Sequence, residues 1–552
     1  MADSTPYIYA SNPVNECHSR QDWYTVDAAI AAMLCIGVVV PHSAGIGGGT
    51  LMSIYKKDDL QKKYTLNARE TAPKSAFKDM YVNKSKSASV EGGLSIGVPG
   101  QIKGMWESHQ QFGRLPWSSL FEDSIELCRE GAKVSPALAR VLNKNRDSIV
   151  NNTGLRGLFW NTNTSDVYKE GDIIKNPKLG DTLERIALGG EDEFYEKETA
   201  KILVQDITAA GGIITKDDLN DYKADWVTPI TTKINGMELF GLPAPSSTSF
   251  VFFVLNVMNG YELTTETLQN TDSAILTYHR LIEAFKYGEA LVGELGDPKY
   301  ANITEAQTKL LSKTYADQIR KSISDEKTFD TEHYDANYPI DIDHGTSHIS
   351  ILAPDGSAVA ATTSINLEFG SKVVSQSTGI ILNDQMDDFA IENTNNAFGK
   401  RPSPSNYIYP GKRPMSSMSP IIMVDPKIDN VTAVVGSSGG TRIPTTISQV
   451  MLLKEWLGKK THQAVSEPRI HHQLFPNYVS YETDFSRDIL DGLAMKGHVL
   501  NVTYSPVSSA ANVIFHTDRC ITTASDPRKG GLDAASLCRS YSQHSTCSPL
   551  FL

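Results

Sequence analysis

The sequence predicts a layered α+β body, on three observations. Helix-period runs dominate up to about residue 300, short strand-like runs dominate from residue 345 onward, and strands and helices never settle into the regular alternation that builds βαβ units. The first helix covers Thr25 to Val39, where apolar residues recur at helical spacing until Pro41 and the glycine-rich Ala44 to Thr50 break it. Strand patterns follow at Leu51 to Tyr55 and Lys63 to Asn67, then helical ones at Gly100 to Phe112, Trp117 to Glu130, Pro136 to Asn145 and Ala200 to Ala210. Thr215 to Asp218 reads as a capped helix start, with an acidic residue three positions after the threonine. Val227 to Phe240 alternates like one or two strands, and helices recur at Ser246 to Met258 and Ser273 to Leu295. Between Thr304 and Pro339 the chain turns polar, which predicts a surface helix and then an exposed connector. Ser347 to Ala353, a PDGS turn and Ala358 to Ser364 form a hairpin pattern. Strands are expected again at Ile421 to Val424 and Val431 to Val435, with a helix from Pro444 to Leu457, and no internal repeat is present.

Composition narrows the function. With 40% apolar and 21% charged residues among 552, the chain can bury a large core. A net charge of −12 is the wrong sign for neutralising phosphates, so nucleic acid is not an expected partner. The longest apolar run, Ala28 to Pro41, has 14 residues, against the roughly 18 to 20 that a bilayer core demands. The N-terminal MADSTPYIYASNPVNE lacks the basic and apolar regions of a secretory signal. Six cysteines form no CxxC or Cys/His pattern, so no structural zinc site is expected. Asn-x-Ser/Thr sequons begin at Asn83, Asn151, Asn163, Asn302, Asn430 and Asn501; they permit secretion without arguing for it.

Several segments carry candidate chemistry. Gly436 to Gly440, GSSGG, lies between a strand pattern and a helix pattern, as a nucleophile elbow does, with Ser438 as nucleophile and Asp484 with His498 or His516 as later partners. The same five small residues suit a tight turn whose backbone N–H groups face an oxyanion. Asp341, Asp343, His344 and His348 cluster like a metal site, although His348 falls inside an alternating strand run and no second ligand cluster exists, so no metal is expected. A chain cut before Thr346 would give that residue both a hydroxyl nucleophile and a free α-amine to act as its base; a plain strand entry is the other reading. AGIGGGT fits neither phosphate-loop pattern, and no cofactor is implied. NARETAP puts Arg69 and Glu70 at a strand end, where an arginine fork can hold a carboxylate, and NDQMDDF clusters Asp384, Asp387 and Asp388, a carboxylate set that suits an ammonium group. In both cases a solvated surface position is the more common outcome.

Taken in order, these segments resemble the gamma-glutamyltransferase (gamma-glutamyl transpeptidase, glutathione hydrolase) family, from about Val26 to Gly531. The carriers are VDAAIAAMLCIGVVVPHSAGIGGG, NARETAP, SIGVPGQIKGMWE, APSSTSFVFFVLNVMNGY, HRLIEAFKYGEALVGELGDPKY, GTSHISILAPDGSAVAATTSINLEFGS, NDQMDDF, KRPMSSMSP, VVGSSGGTRI and SDPRKGG. The resemblance implies a four-layer αββα sandwich of the N-terminal-nucleophile hydrolase type, made as a precursor that cuts itself between Gly345 and Thr346. Residues 1–345 would form the large subunit, with a short atypical N-terminus at 1–25, and 346–552 the small catalytic one, with 532–552 a tail that has no counterpart in the family. In proportion to a total of 60.5 kDa, the parts weigh about 38 and about 23 kDa.

By the same resemblance, Thr346 attacks the γ-carbonyl of glutathione or a related γ-glutamyl compound, and water or an amino acid or dipeptide acceptor takes the glutamyl group. Gly439 and Gly440 match the oxyanion-hole glycines. Arg69, Ser416 and Ser417 match the groups that bind the α-carboxylate, and Asn366, Gln385 and Asp388 those around the α-ammonium. Cys17 and Cys35 match the family's N-terminal disulfide, and the family's location is extracellular or at the cell surface. Two positions depart from the pattern: Ser364 stands where a threonine hydroxyl usually supports the nucleophile, implying a lower rate, and Glu368 stands where an aromatic or small polar residue is usual. An unprocessed homologue serving only as a binding protein is the non-catalytic alternative, and a serine hydrolase using Ser438 the other.

Overall fold

The computed structural model describes residues 9–11, 24–85, 87–336, 338, 345–391, 402–503, 509–517, 520–530 and 536–538. Two antiparallel sheets form the centre. The first runs, in spatial order, Tyr9–Ser11, Gly345–Leu352, Ala358–Asn366, Gly49–Tyr55, Lys63–Ala68 and Asp225–Val227. The second runs Ser536–Cys538, Cys520–Ser525, Ala510–His516, Asn430–Ser438, Ile421–Asp425, Met237–Gly241 and Ile230–Ile234. Strands from the two ends of the chain therefore sit side by side in each sheet.

Alternation along the strands builds three stacked cores. Tyr55, Phe240, Leu352, Ile422, Val434 and Ile514 fill the space between the sheets. Their neighbours in sequence point the other way: Ile54 and Ile351 meet Ile30, Ile36 and Ile102 from the helices over the first sheet, and Val435 and Val513 meet Phe250, Phe285 and Ile447 from the helices over the second. The result is a helix–sheet–sheet–helix stack of four layers. The helix Thr25–Val39 is buried on nearly every side, which explains why its sequence is apolar all round rather than striped.

Most sequence expectations stand at the level of elements. The hairpin pairs Ile349 with Ala361 and Leu352 with Ala358, and Thr215 closes a capping box with Asp218. The region Thr304 to Pro339 needs correction. It holds two helices, Thr304–Leu311 and Lys313–Ser322, and the connector beyond them is anchored rather than exposed. Thr328 and Tyr334 donate to the two carboxylate oxygens of Glu283, at 2.6 and 2.7 Å, and Tyr334 is 3% exposed. Glu283 lies on the buried helix Thr271–Val292, and its carboxylate takes hydrogen bonds that polarity in the connector alone does not reveal. Cys35 is disulfide-bonded; Cys17, its expected partner, lies outside the described residues, as do Asp341, Asp343 and His344. Cys520 is also disulfide-bonded and pairs in register with Cys538, so strand pairing reaches into the expected unmatched tail.

His348 links the two sheets. Its imidazole bonds Thr362 Oγ1 at 2.8 Å and Ser350 Oγ at 3.0 Å within the first sheet. A Cβ at Gly436 of the second sheet would sit 2.1 Å from the His348 ring. Gly436→Ala is therefore expected to destabilise the fold by about 2–3 kcal/mol through overpacking against a ring that cannot move, read as a lowered midpoint in thermal or denaturant unfolding.

Candidate functional site

Thr346 enters the first sheet at the start of its strand, fully buried, directly opposite Ser364 and one residue after a register shift. Its Oγ1 donates to Ser364 Oγ at 3.3 Å, while Ser364 Oγ donates to the Gly345 carbonyl at 2.6 Å and accepts the Asn366 N–H at 2.9 Å. One hydroxyl thus touches both sides of the Gly345–Thr346 peptide. Serine in place of threonine keeps every one of these contacts.

The network continues from Asn366. This residue holds φ +75°, and its Nδ2 donates to the Asp384 carbonyl at 3.2 Å. Next in the chain, Gln385 donates through Nε2 to Asp388 at 2.8 Å. Asp388 closes on the Arg69 guanidinium in a short ion pair. Arg69 is 0% exposed, not a surface arginine, and its fork also donates to the carbonyls of Met415 at 2.7 Å and Pro414 at 3.4 Å. The segment carrying those carbonyls includes Ser416, whose N–H donates to the Pro245 carbonyl at 2.8 Å and whose Oγ accepts the Met418 N–H at 3.1 Å. Ser417 follows it, half-buried. The sheet and four separate loops therefore meet around one arginine.

The electrostatics are unusual. Burial raises the Asp388 carboxyl above its ordinary range in spite of Arg69. Glu70, also fully buried and 3.7 Å from Arg69 Nη1, is pushed up to about 7 by burial, which outweighs the arginine's pull. Several buried polar atoms have no hydrogen-bond partner among the described residues: Arg69 Nη1, both Glu70 oxygens, Asn366 Oδ1 and Gln385 Oε1. Buried polar atoms are ordinarily satisfied, so a donor and several acceptors without hydrogen bonds on one network make this a candidate ligand site.

Gly439 and Gly440 sit at the end of the Asn430–Ser438 strand with φ +121° and +59°, a backbone that side chains resist, and the helix Arg442–Glu455 follows. Lys529 bridges this turn to the candidate nucleophile, donating to the Thr346 carbonyl at 3.2 Å and to Ser438 Oγ at 2.7 Å.

Residues 23–536 match the family profile described as gamma-glutamyltranspeptidase. The chain belongs to the gamma-glutamyltranspeptidase family. It is 40% identical to Scoloptoxin SSD14 of Scolopendra dehaani over 93% of this chain and 88% of that one. It is 37% identical to Glutathione hydrolase 3 of Arabidopsis thaliana over 94% and 83%, and 34% identical to Glutathione hydrolase 5 proenzyme of Rattus norvegicus over 93% and 88%. Among solved structures, gamma-glutamyltranspeptidase of Helicobacter pylori matches with TM-score 0.52 and 27% identity over 56% of this chain and 88% of that one. Cephalosporin acylase from Bacillus halodurans shares the fold, with TM-score 0.80 and 23% identity over 97% and 95%. The fold is that of the N-terminal-nucleophile hydrolases.

Two other readings of the sequence meet different surroundings. The partners expected for Ser438 are engaged or exposed elsewhere: His498 bonds His279 at 2.8 Å, His516 bonds Asn430 at 3.2 Å, and Asp484 is exposed. Ser438 instead accepts a hydrogen bond from Lys529 at 2.7 Å. His348 has both ring nitrogens engaged by Thr362 and Ser350, and burial pulls its pKa down to about 3, while Asp341, Asp343 and His344 lie outside the described residues. Glu368 is paired with Lys144 at 3.0 Å and Asn145 at 2.8 Å.

Asn383 was missed as a site residue, since its neighbours are the charged ones. Its side chain accepts from the N–H groups of Gly97 and Gln385, both at 2.9 Å, and donates to the carbonyls of Gly47 at 2.7 Å and Gly97 at 2.9 Å. It fixes the turn that carries Gln385 and Asp388. Asn383→Ala leaves three buried backbone groups unpaired, the N–H groups of Gly97 and Gln385 and the Gly97 carbonyl, since the Gly47 carbonyl keeps the residue 383 N–H, and is expected to cost about 3 kcal/mol of stability, measurable as a fall in unfolding midpoint.

Proposed function

We propose that this family member is an autoprocessed γ-glutamyltransferase whose Thr346 cleaves the γ-glutamyl bond of glutathione and related compounds. The observation that carries the reading is the set of open polar atoms around Arg69. An unpaired guanidinium N–H suits an α-carboxylate, and the carbonyl oxygens of Asn366 and Gln385 together with Asp388 suit an α-ammonium. A free amino acid head presents both charges. A substrate lacking either would leave its partner buried and unpaired, which costs specificity factors far above those of apolar contacts.

Maturation comes first in the proposed sequence. Thr346 Oγ attacks the Gly345 carbonyl carbon, the Ser364 hydroxyl bonded to that carbonyl oxygen stabilises the developing charge, and the Thr346 nitrogen leaves with the proton. Water then hydrolyses the resulting ester, giving a Gly345 carboxylate and a free Thr346 amine. In turnover the same Oγ attacks the γ-carbonyl of the donor. The α-amine takes the hydroxyl proton and passes it to the departing amine, and the Gly439 and Gly440 N–H groups face the oxyanion. A γ-glutamyl ester on Thr346 results, and water or an amino acid or dipeptide acceptor releases it. In this reading Ser416 and Ser417 assist Arg69, and the large and small subunits, 1–345 and 346–552, stay together as one folded body because strands from both lie paired in each sheet. An extracellular or cell-surface location accompanies the reading, and no helix among the described residues is long and apolar enough to cross a membrane.

Two measurements test this. Purified protein is expected to show two bands, the smaller with the N-terminal sequence Thr-Ser-His-Ile, and to release nitroaniline from a γ-glutamyl nitroanilide. Thr346→Ala is expected to stay a single band and to lose at least about a thousandfold in rate, the loss typical of removing a covalent nucleophile. Full activity in an uncut Thr346→Ala protein would refute the proposal.

Glu70 adds a pH dependence. Its carboxyl is raised from 4.5 to about 7 by burial, so its contribution to folding stability is greatest below pH 4.5 and is lost as pH climbs through 7. Once ionised, it competes with the incoming carboxylate for Arg69. Donor KM is expected to rise as pH passes about 7, and Glu70→Gln to remove that rise. A rise of equal size in the variant would assign it to another group.

A further inference from the structure

A small polar pocket lies next to the helix that follows the Gly439-Gly440 turn, lined by Arg442, Thr445, Thr446, Arg469, Tyr481 and Ser509, among others. It has room for one particle of about the size of a water molecule. Arg442 opens the 14-residue helix Arg442–Glu455, whose dipole favours negative charge at this end, while the Arg442 and Ile443 N–H groups are already taken by the Gly439 and Gly440 carbonyls and Pro444 has none. Among the described residues its guanidinium has no hydrogen bond or ion pair. Arg469, 6% exposed, lines the same pocket and carries a second open group: its Nε–H has no acceptor. Its other nitrogens are engaged by Ser509, the Val465 carbonyl and Asp526.

The charges around the pocket do not balance. Among the described residues, Arg442, Arg469 and Arg528 face two carboxylates, Asp526 and Glu482, and both of these are already bonded, Asp526 to Arg469 and Arg528, Glu482 to Arg528. Lys459 and Glu467 close a pair of their own at 3.3 Å. His471 is neutral, pulled down to about 3 by burial and by Arg442. The half-buried charge of Arg442 is left over. Burial also holds Arg442 and Arg469 below the usual arginine range, which is the cost a counter-ion would relieve.

We propose that this pocket is an anion site that takes a single halide, chloride in ordinary buffers, held by Arg442 and Arg469 at the N-terminus of the helix Arg442–Glu455. Its small volume favours a monatomic anion over phosphate, sulfate or a substrate carboxylate. The bound ion fixes Arg442, and through it the first turn of the helix whose Gly439 and Gly440 entry carries the proposed oxyanion donors. Arg442 is thus a positioning residue, two positions beyond Gly440. Binding does not depend on the function proposed above, whereas any effect on rate does.

Crystals of the unmodified protein grown in bromide would locate the site without any variant, by an anomalous peak in contact with the Arg442 guanidinium. Melting in chloride against gluconate at equal ionic strength gives the second readout, and neither experiment needs a γ-glutamyl compound. The expected results are that peak and a saturable rise in midpoint of about 2 °C with chloride, absent in Arg442→Gln. A peak-free pocket, or an undiminished chloride response in Arg442→Gln, would overturn the proposal and leave an ordered water as its occupant.

Discussion

A fully buried positive charge organises this molecule. Removing a guanidinium from water costs several kcal/mol unless partners replace the solvent, and the partners of Arg69 come from widely separated parts of the chain. Asp388 pairs with it, the carbonyls of Pro414 and Met415 accept from it, and Glu70 lies beside it. Its own carbonyl is gripped by Tyr222 at 2.8 Å and by Arg413, which is in turn paired with Asp225. Since Nη1 and the nearby amide oxygens are still open, the protein alone leaves the charge incompletely solvated. In the proposed function, a zwitterionic ligand completes that solvation.

The second constraint is the antiparallel pairing that sets Thr346 opposite Ser364. The Gly345–Thr346 bond is buried, with the strand Ala358–Asn366 paired along one side of it. Its hydrogen bonds to Ser364 are those the proposed acyl shift would use. As a serine, residue 364 carries no methyl group to stiffen χ1.

Single side chains tie the loops of the site to the layers beneath them. Lys529 ties the Gly439-Gly440 turn to the Thr346 strand, and Asn383 ties the Gln385–Asp388 turn to the loops at Gly47 and Gly97. Each replaces a flexible loop contact with specific hydrogen bonds, which is how a site built largely on loops acquires the rigidity that positioned chemistry requires.

Local periodicity determined a good deal by itself. The helix Thr25–Val39, the hairpin at 345–366 and the α+β class follow from spacing and turn chemistry, which act within a few residues. Motif order carried the resemblance to the family, and with it the expectation of Thr346. Spacing alone left Ser438 and Thr346 as rivals, because a GSSGG turn and a Gly-Thr pair each look ordinary in one dimension. Tertiary structure gives each a different neighbour: a lysine donor at Ser438, and a hydroxyl relay at Thr346. Arg69, Asp384 and Tyr334 looked solvated for the same reason. Burial of a polar group depends on partners hundreds of residues away, and no local pattern records them.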